Sequence, residues 1–202
     1  MRALLLVDIQ NDFCPGGALA VPGGDEVIGV ANGLLSGYPL VVATQDWHPP
    51  GHHSFASQHP GHEVGELIEL DGLEQVLWPD HCVQGTPGAE LAEGLATDHI
   101  DRIVRKGTDR RLDSYSGFYD NAHRRATGLE DVLREEGVDA VDVVGLATDY
   151  CVLFTALDAV EAGFTTTVLA AGCRAVELQP GDGEAALARM AAAGVMVVRQ
   201  AV

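Results

Sequence analysis

Six short apolar runs, many of them β-branched, alternate along this chain with stretches of helical period, and that rhythm limits the fold more than any other feature. The runs are residues 3–7, 40–44, 103–105, 140–144, 165–170 and 195–199, and the helical stretches are 25–35, 89–96, 128–136, 149–162 and 182–193. Strand and helix in alternation read as a parallel sheet covered by helices on both faces. The expectation is therefore an α/β fold, a three-layer αβα sandwich with a doubly wound, mostly parallel six-stranded sheet. At 202 residues, 47% apolar and 21% charged, the chain suits one domain spanning residues 1–202. Residues 45–88 break the rhythm. They are rich in Pro, Gly and His, with a weak apolar patch near 64–70, and a connection that long inside a compact domain is usually functional.

Charge and cysteines exclude several classes. Residues 1–101 carry 15 acids and one base, Arg2, and residues 102–202 carry 15 acids and 11 bases, so the net charge of −18 lies mostly in the first half. Nucleic acid and anionic membranes are poor partners for such a surface, because binding phosphate needs a basic footprint. Seven of the eight histidines lie in the cation-poor half, where an acidic field favours a bound cation. The start of the chain lacks the pattern of a secretory signal and no run approaches the roughly 18 apolar residues of a membrane span, so a cytoplasmic setting is the default expectation. Cys14, Cys82, Cys151 and Cys173 form no CxxC pair, which leaves a zinc ribbon and a disulfide framework unsupported. There is no GxGxxG, no P-loop and no GxSxG elbow.

Ligands of open parallel sheets bind at the carboxyl ends of the strands, and the reactive residues of this chain recur there. Asp8 closes the first run, Asp46 and His48 follow the second, Lys106 closes the third, and Cys151 lies just past the fourth. Lys106 is the only lysine; the other 11 basic residues are arginines. A compact ammonium fits a tight site beside a carboxylate or thiolate where a planar guanidinium does not. Cys151 falls where strand gives way to helix, with Thr148 placed to cap, and a helix start stabilises thiolate. Asp8 is placed to take the thiol proton, with Lys106 to orient it. Asp46 with His48, and a second imidazole at His81 in Trp78-Pro79-Asp80-His81-Cys82, make a ligand set that leaves coordination positions open for water and substrate. His52, His53, His59 and His62 are further candidates.

Residues 7–14 (VDIQNDFC), 45–49 (QDWHP), 54–57 (SFAS), 78–83 (WPDHCV), 106–107 (KG), 113–116 (DSYS) and 145–152 (GLATDYCV) together closely resemble the nicotinamidase, or pyrazinamidase, branch of the isochorismatase-like cysteine hydrolases. The resemblance runs from Leu4 past Arg174. The Asp, Lys and Cys mark the superfamily, and the Asp-Trp-His and Trp-Pro-Asp-His-Cys segments mark the branch. The resemblance implies that Asp8, Lys106 and Cys151 form a catalytic triad and that Asp46, His48 and His81 bind one divalent metal, zinc ahead of iron or manganese. It also implies a cis Leu146–Ala147 peptide, with the N–H groups of Ala147 and Cys151 as an oxyanion hole, and a ring pocket lined by Phe13, Trp78, Tyr115 and Tyr150. Members differ in the extra metal contact, so His52, His53 and Ser54 stay open for that part.

The activity so implied is hydrolysis of nicotinamide, and of pyrazinamide, to the acid and ammonia through a cysteine thioester, in the service of NAD salvage. The alternatives are an amidohydrolase of ureido or carbamoyl substrates and a noncatalytic binding protein on the same fold. The expected partner is the small-molecule substrate, without nucleic acid or membrane, and a homo-oligomer stays open beside a monomer.

Overall fold

The computed structural model describes residues 1–199. Its main sheet is built from β1 (Arg2–Val7), β2 (Val41–Asp46), β5 (Arg102–Lys106), β6 (Ala140–Leu146), β7 (Thr165–Arg174) and β8 (Met196–Val198), in the spatial order β5-β2-β1-β6-β7-β8. Every pairing in this sheet is parallel. All six expected runs became strands. Their alternate side chains enter two different cores, which is why they are apolar without a break: Ala3, Leu5 and Val7 of β1 join one cluster, Leu4 and Leu6 the other.

The first cluster is closed by α2 (Leu129–Glu135), α3 (Leu153–Glu161) and α4 (Asp182–Ala192), which supply Leu129, Leu133, Ala156, Ala159, Leu187 and Met190. The second is closed by α1 (Glu26–Leu34) through Val27 and Ala31, and by Ala89, Ala92 and Leu95. Helices therefore lie on both faces, as the alternation required. β1 sits centrally: the chain runs outward from it through β2 to β5 and then returns to β6 on the other side. The reversal opens a crevice beyond the carboxyl ends of β1 and β6, the place where open α/β sheets take ligands.

Two segments depart from expectation. Residues 89–96 do not form a helix. After a single 3₁₀ turn at Pro87–Ala89 the chain runs irregularly against the loop that follows β1, with Asn11 N–H donating to Glu90 O, Ala92 N–H donating to Ile9 O, and Leu91 bridging Gln10. The apolar residues still reach the core, but the backbone pairs with another segment instead of with itself. The second departure is an antiparallel hairpin inside 45–88, β3 (Leu67–Leu70) and β4 (Leu73–Val76), turned by Asp71 and Gly72 at φ +50° and +84°. A two-residue turn with both central φ positive favours this dipeptide. No helix among the described residues is long and apolar enough to cross a membrane.

Candidate active site

Asp8, the first residue past β1, and Lys106, the last of β5, converge on a shared point because β2 lies between their strands and pairs Asp46 with Lys106. The Lys106 side chain is fully buried. Its Nζ lies 2.8 Å from Asp8 Oδ2, donates to Asp46 Oδ1 at 2.6 Å and to Ser114 O at 2.8 Å, and stands 3.4 Å from Cys151 Sγ. Burial alone would strip the ammonium of its proton; the carboxylates of Asp46 and Asp8 outweigh it and hold the pKa well above the ordinary lysine value. One ammonium thus ties three acidic groups from three different strand ends.

Cys151 sits in a π turn, Thr148–Val152, that joins β6 to α3. Val152 N–H reaches back five residues to Ala147 O at 3.0 Å, the wide turn often found at functional positions. Two expectations need correction here. Thr148 makes no capping bond; the turn is instead tied down by Asp149, whose carboxylate accepts from the N–H groups of Val176 and Glu177 at 2.9 Å each. Nor is the thiolate favoured at rest. Burial pushes the Cys151 thiol well above the usual range, with Lys106 drawing it down and Asp8 and Asp46 pushing it further up. A thiol so placed would act as a nucleophile only with a base beside it.

Asp8 has the features of that base. Burial raises its pKa, with Lys106 opposing and Asp46 reinforcing. Its Oδ1 accepts the hydroxyl of Thr44 at 2.6 Å, whereas Oδ2 meets the Lys106 ammonium at 2.8 Å and no hydroxyl or amide, which leaves it a further lone pair. The oxygen atoms of Asp8 and Asp46 and the Cys151 sulfur approach within 4.8 Å, a spacing that would suit a metal ion. The Lys106 ammonium already supplies the cation there.

A second group of side chains could hold a cation. The long connection folds back on itself, with His48 N–H donating to Cys82 O and Gln84 N–H to His48 O, so His81 arrives beside His48 although 33 residues separate them. Both rings are oriented by a carbonyl: His48 Nδ1 lies 2.9 Å from Gly107 O, and His81 Nδ1 2.7 Å from Pro79 O. A carbonyl can only accept, so each Nδ1 carries the hydrogen and, in the neutral ring, each Nε2 presents a lone pair. Gly107, at φ +63°, is required by this contact, since a Cβ there would lie 2.4 Å from the His48 ring. Asp46, His48 and His81 offer ligand atoms within 4.8 Å of one another, and His48 Nε2 is buried without a partner. Asp46 is held well below the ordinary carboxylate range: burial opposes ionisation, but Lys106 and then His48 outweigh it. His81 is pushed down to about 4, by burial and then by His48. Burial opposes protonation of His48, but in the absence of a metal the Asp46 carboxylate, and then Asp113, outweigh it and raise the pKa, and a divalent metal would take the place of that proton. One carboxylate and two imidazoles are a donor set that fits such an ion.

His52 is buried in the same cluster, and with His48 and Asp113 makes an overlapping group. Its Nδ1, however, faces the Ser54 N–H at 3.2 Å and the Ser54 hydroxyl at 2.7 Å. An amide N–H can only donate, so Nδ1 accepts from Ser54, while Nε2, like that of His48, is buried without a partner. His53 is half-buried, while His59 and His62 lie apart from the cluster; His62 pairs with Glu66.

The crevice above Cys151 is lined by Phe13, Trp78, Tyr115 and Tyr150, the four expected ring-pocket residues, together with Asp46, His81, Ala147 and Cys151. The Leu146–Ala147 peptide is cis. Trp78 meets Tyr150 edge to face at 4.8 Å between centroids, and its indole N–H donates to the Tyr115 hydroxyl at 3.1 Å. Leu19, Asp113 and Val176 complete the lining. They escaped the sequence reading, as did Gln10, whose side-chain amide donates to Asp46 O and accepts from Asp46 N–H at 2.8 Å each. Asp113 and Gln10 left only a trace, as members of the 113–116 and 7–14 segments. All four cysteines are free thiols; Cys82 and Cys173 are buried in the two cores and Cys14 is half-exposed.

Fold and site together define an α/β protein with a buried carboxylate, ammonium and thiol at the switch point of a parallel sheet, beside three residues that could hold a metal ion. The chain belongs to the isochorismatase family, whose domain model matches residues 2–202. It is similar to the nicotinamidase of Escherichia coli, 52% identical over 197 residues that cover 96% of this chain and 92% of that one. Among solved structures it resembles a nicotinamidase and pyrazinamidase of Acinetobacter baumanii, with a TM-score of 0.95 and 47% identity over 98% of this chain and 95% of that one. It also resembles a pyrazinamidase of Pyrococcus horikoshii in complex with zinc, with a TM-score of 0.79 and 39% identity over 98% and 99%.

Proposed function

We propose that this chain hydrolyses nicotinamide, and pyrazinamide, to the corresponding acid and ammonia through a thioester on Cys151. One observation carries the reading: a single crevice is lined at once by the Cys151 nucleophile, by the metal ligands Asp46 and His81, and by the flat aromatic walls of Phe13, Trp78, Tyr115 and Tyr150. A neutral planar ring suits such walls. The relatives named above for acting on these amides support the choice of substrate.

In this reading Asp8 Oδ2 takes the proton of the Cys151 thiol, and Lys106, 3.4 Å from the sulfur, stabilises the thiolate as it forms. The thiolate adds to the carboxamide carbon. The backbone N–H groups of Ala147 and Cys151 receive the oxyanion, the kind of preorganised donor pair that acyl transfer uses. Asp8 returns its proton to the leaving nitrogen, ammonia departs, and Asp8 next accepts a proton from the water that cleaves the thioester. Asp46, His48 and His81 would hold a divalent metal, zinc in the relative from Pyrococcus horikoshii, and when bound it supplies a Lewis acid that orients and polarises the ring. Gln10 fixes the backbone of Asp46, and the carbonyls of Gly107 and Pro79 orient the two imidazoles. The reaction recycles nicotinamide towards NAD, in the cytoplasm.

The test is ammonia release by metal-replete protein offered nicotinamide, pyrazinamide and a carbamoyl amine in parallel. Release from the two ring amides is expected. Release from the carbamoyl compound alone would move the chain to the ureido-cleaving amidohydrolases.

A further inference from the structure

Thr44 engages the proposed base twice. It lies on β2 with 0% exposure, and its Oγ1 is 3.2 Å from the Asp8 N–H and 2.6 Å from Asp8 Oδ1. An amide N–H can only donate, so it occupies a lone pair of the hydroxyl and leaves the hydroxyl hydrogen for the carboxylate. The direction of both bonds is therefore set. Oδ1 is committed to Thr44, while Oδ2, which meets the Lys106 ammonium at 2.8 Å and no hydroxyl or amide, is the oxygen left to react.

We infer that Thr44 is a positioning residue for the reaction: it selects Oδ2 of Asp8 as the one atom that takes and returns the Cys151 proton. This rests on the reading of Asp8 as base. The S–H bond breaks and an O–H bond forms on Oδ2; later that O–H bond breaks, and its proton leaves with nitrogen as the C–N bond opens. A neutral carboxyl with two equivalent oxygens could carry the proton on the wrong one, or turn about its χ2. The Thr44 hydroxyl removes that choice, since it donates to Oδ1 whether Asp8 is ionised or neutral. Thr44 is β-branched, and its stiff χ1 keeps the hydroxyl in place. Asp8 itself adopts φ +47°, a backbone geometry few residues accept, and the same hydroxyl holds its N–H.

The experiment compares kcat and KM for nicotinamide in the wild type, Thr44→Val and Thr44→Ser, with bound metal and thermal midpoint measured on each. Valine keeps the branched shape without the hydroxyl; serine keeps the hydroxyl in a smaller side chain. Thr44→Val is expected to lower kcat roughly ten- to a hundredfold, the scale of one hydrogen bond to a charged group, with KM and metal content unchanged, and Thr44→Ser to recover most of it. Wild-type kcat in Thr44→Val overturns the inference, as does a Thr44→Ser protein that stays as slow as Thr44→Val. A wild type that releases no ammonia overturns the amidohydrolase reading, and this inference with it.

Discussion

Replacing Lys106 by methionine keeps the length of the side chain and deletes its charge. The ammonium lies 2.6 Å from Asp46 Oδ1 and 2.8 Å from Asp8 Oδ2 with no solvent access. Removing one partner of a buried pair leaves charge uncompensated and costs about 3–5 kcal/mol. For a chain of 202 residues, at about 2–4 °C per kcal/mol, the melting point falls by about 6–20 °C. The loss depends on pH in a defined direction. Without the ammonium, burial lifts Asp8 further above, and draws Asp46 back up from below, the ordinary carboxylate value of 3.8. A carboxyl whose folded pKa is raised favours the folded state fully below its unfolded pKa and loses that contribution as the pH climbs through the folded pKa. The gap between Lys106→Met and wild type, both metal-free, should therefore be small at about pH 5 and wide at about pH 8, in thermal melts followed by circular dichroism. Lys106→Arg keeps the charge but places a planar fork where three acceptors and a thiol surround a point, so it should melt closer to wild type and still lose turnover. A Lys106→Met protein that melts with wild type at about pH 8 would refute the claim that this ammonium neutralises the cluster.

His48→Ala should lose stoichiometric zinc in equilibrium dialysis and bind nicotinamide more weakly; full metal content and affinity would show the ligand set to be wrongly drawn. His81, held at about 4 against an ordinary 6.5, stays neutral in the fold while the unfolded chain takes up a proton. The His81 contribution to the stability of the metal-free protein should accordingly fall as the pH drops from about 6.5 to about 4, against the opposite contribution of His48, whose pKa is raised, so His81→Gln should gain on wild type across that range; an unchanged difference would remove His81 as the source. Trp78→Ala removes a pocket wall and the donor to the Tyr115 hydroxyl, so KM for nicotinamide should rise several-fold, the scale of lost aromatic contact; an unchanged KM would place the ring elsewhere.

The fold was legible where burial on both faces forced continuous apolar strands, and the alternation of strand and helix then pointed to a parallel sheet. It was misread at 89–96, because a helical spacing of Ala89, Ala92 and Leu95 also serves a chain that packs irregularly and lends its hydrogen bonds to the loop after β1. The hairpin at 67–76 had a legible turn in Asp71-Gly72 but weak apolar strands around it, as befits strands that are largely exposed. Reactive residues at strand ends announced the cluster of Asp8, Lys106 and Cys151, and the lone lysine singled out its centre. Thr44, Gln10 and Asp113 stayed hidden for a common reason. Thr44 and Gln10 meet partners 36 residues away, Asp8 and Asp46, and Asp113 faces His48 at 4.0 Å across 65 positions. Such contacts exist only once strands have paired, and local spacing does not encode them. The Thr148 cap failed because Asp149, its neighbour, holds the turn from the other side.

The most direct test of the account is ammonia release from nicotinamide by metal-replete wild type and Cys151→Ala assayed side by side, with bound metal counted in both. Release by the wild type alone, at equal metal content, is the predicted result. Release by Cys151→Ala at the wild-type rate would contradict the thioester route, since the crevice would then be hydrolysing the amide without its thiol.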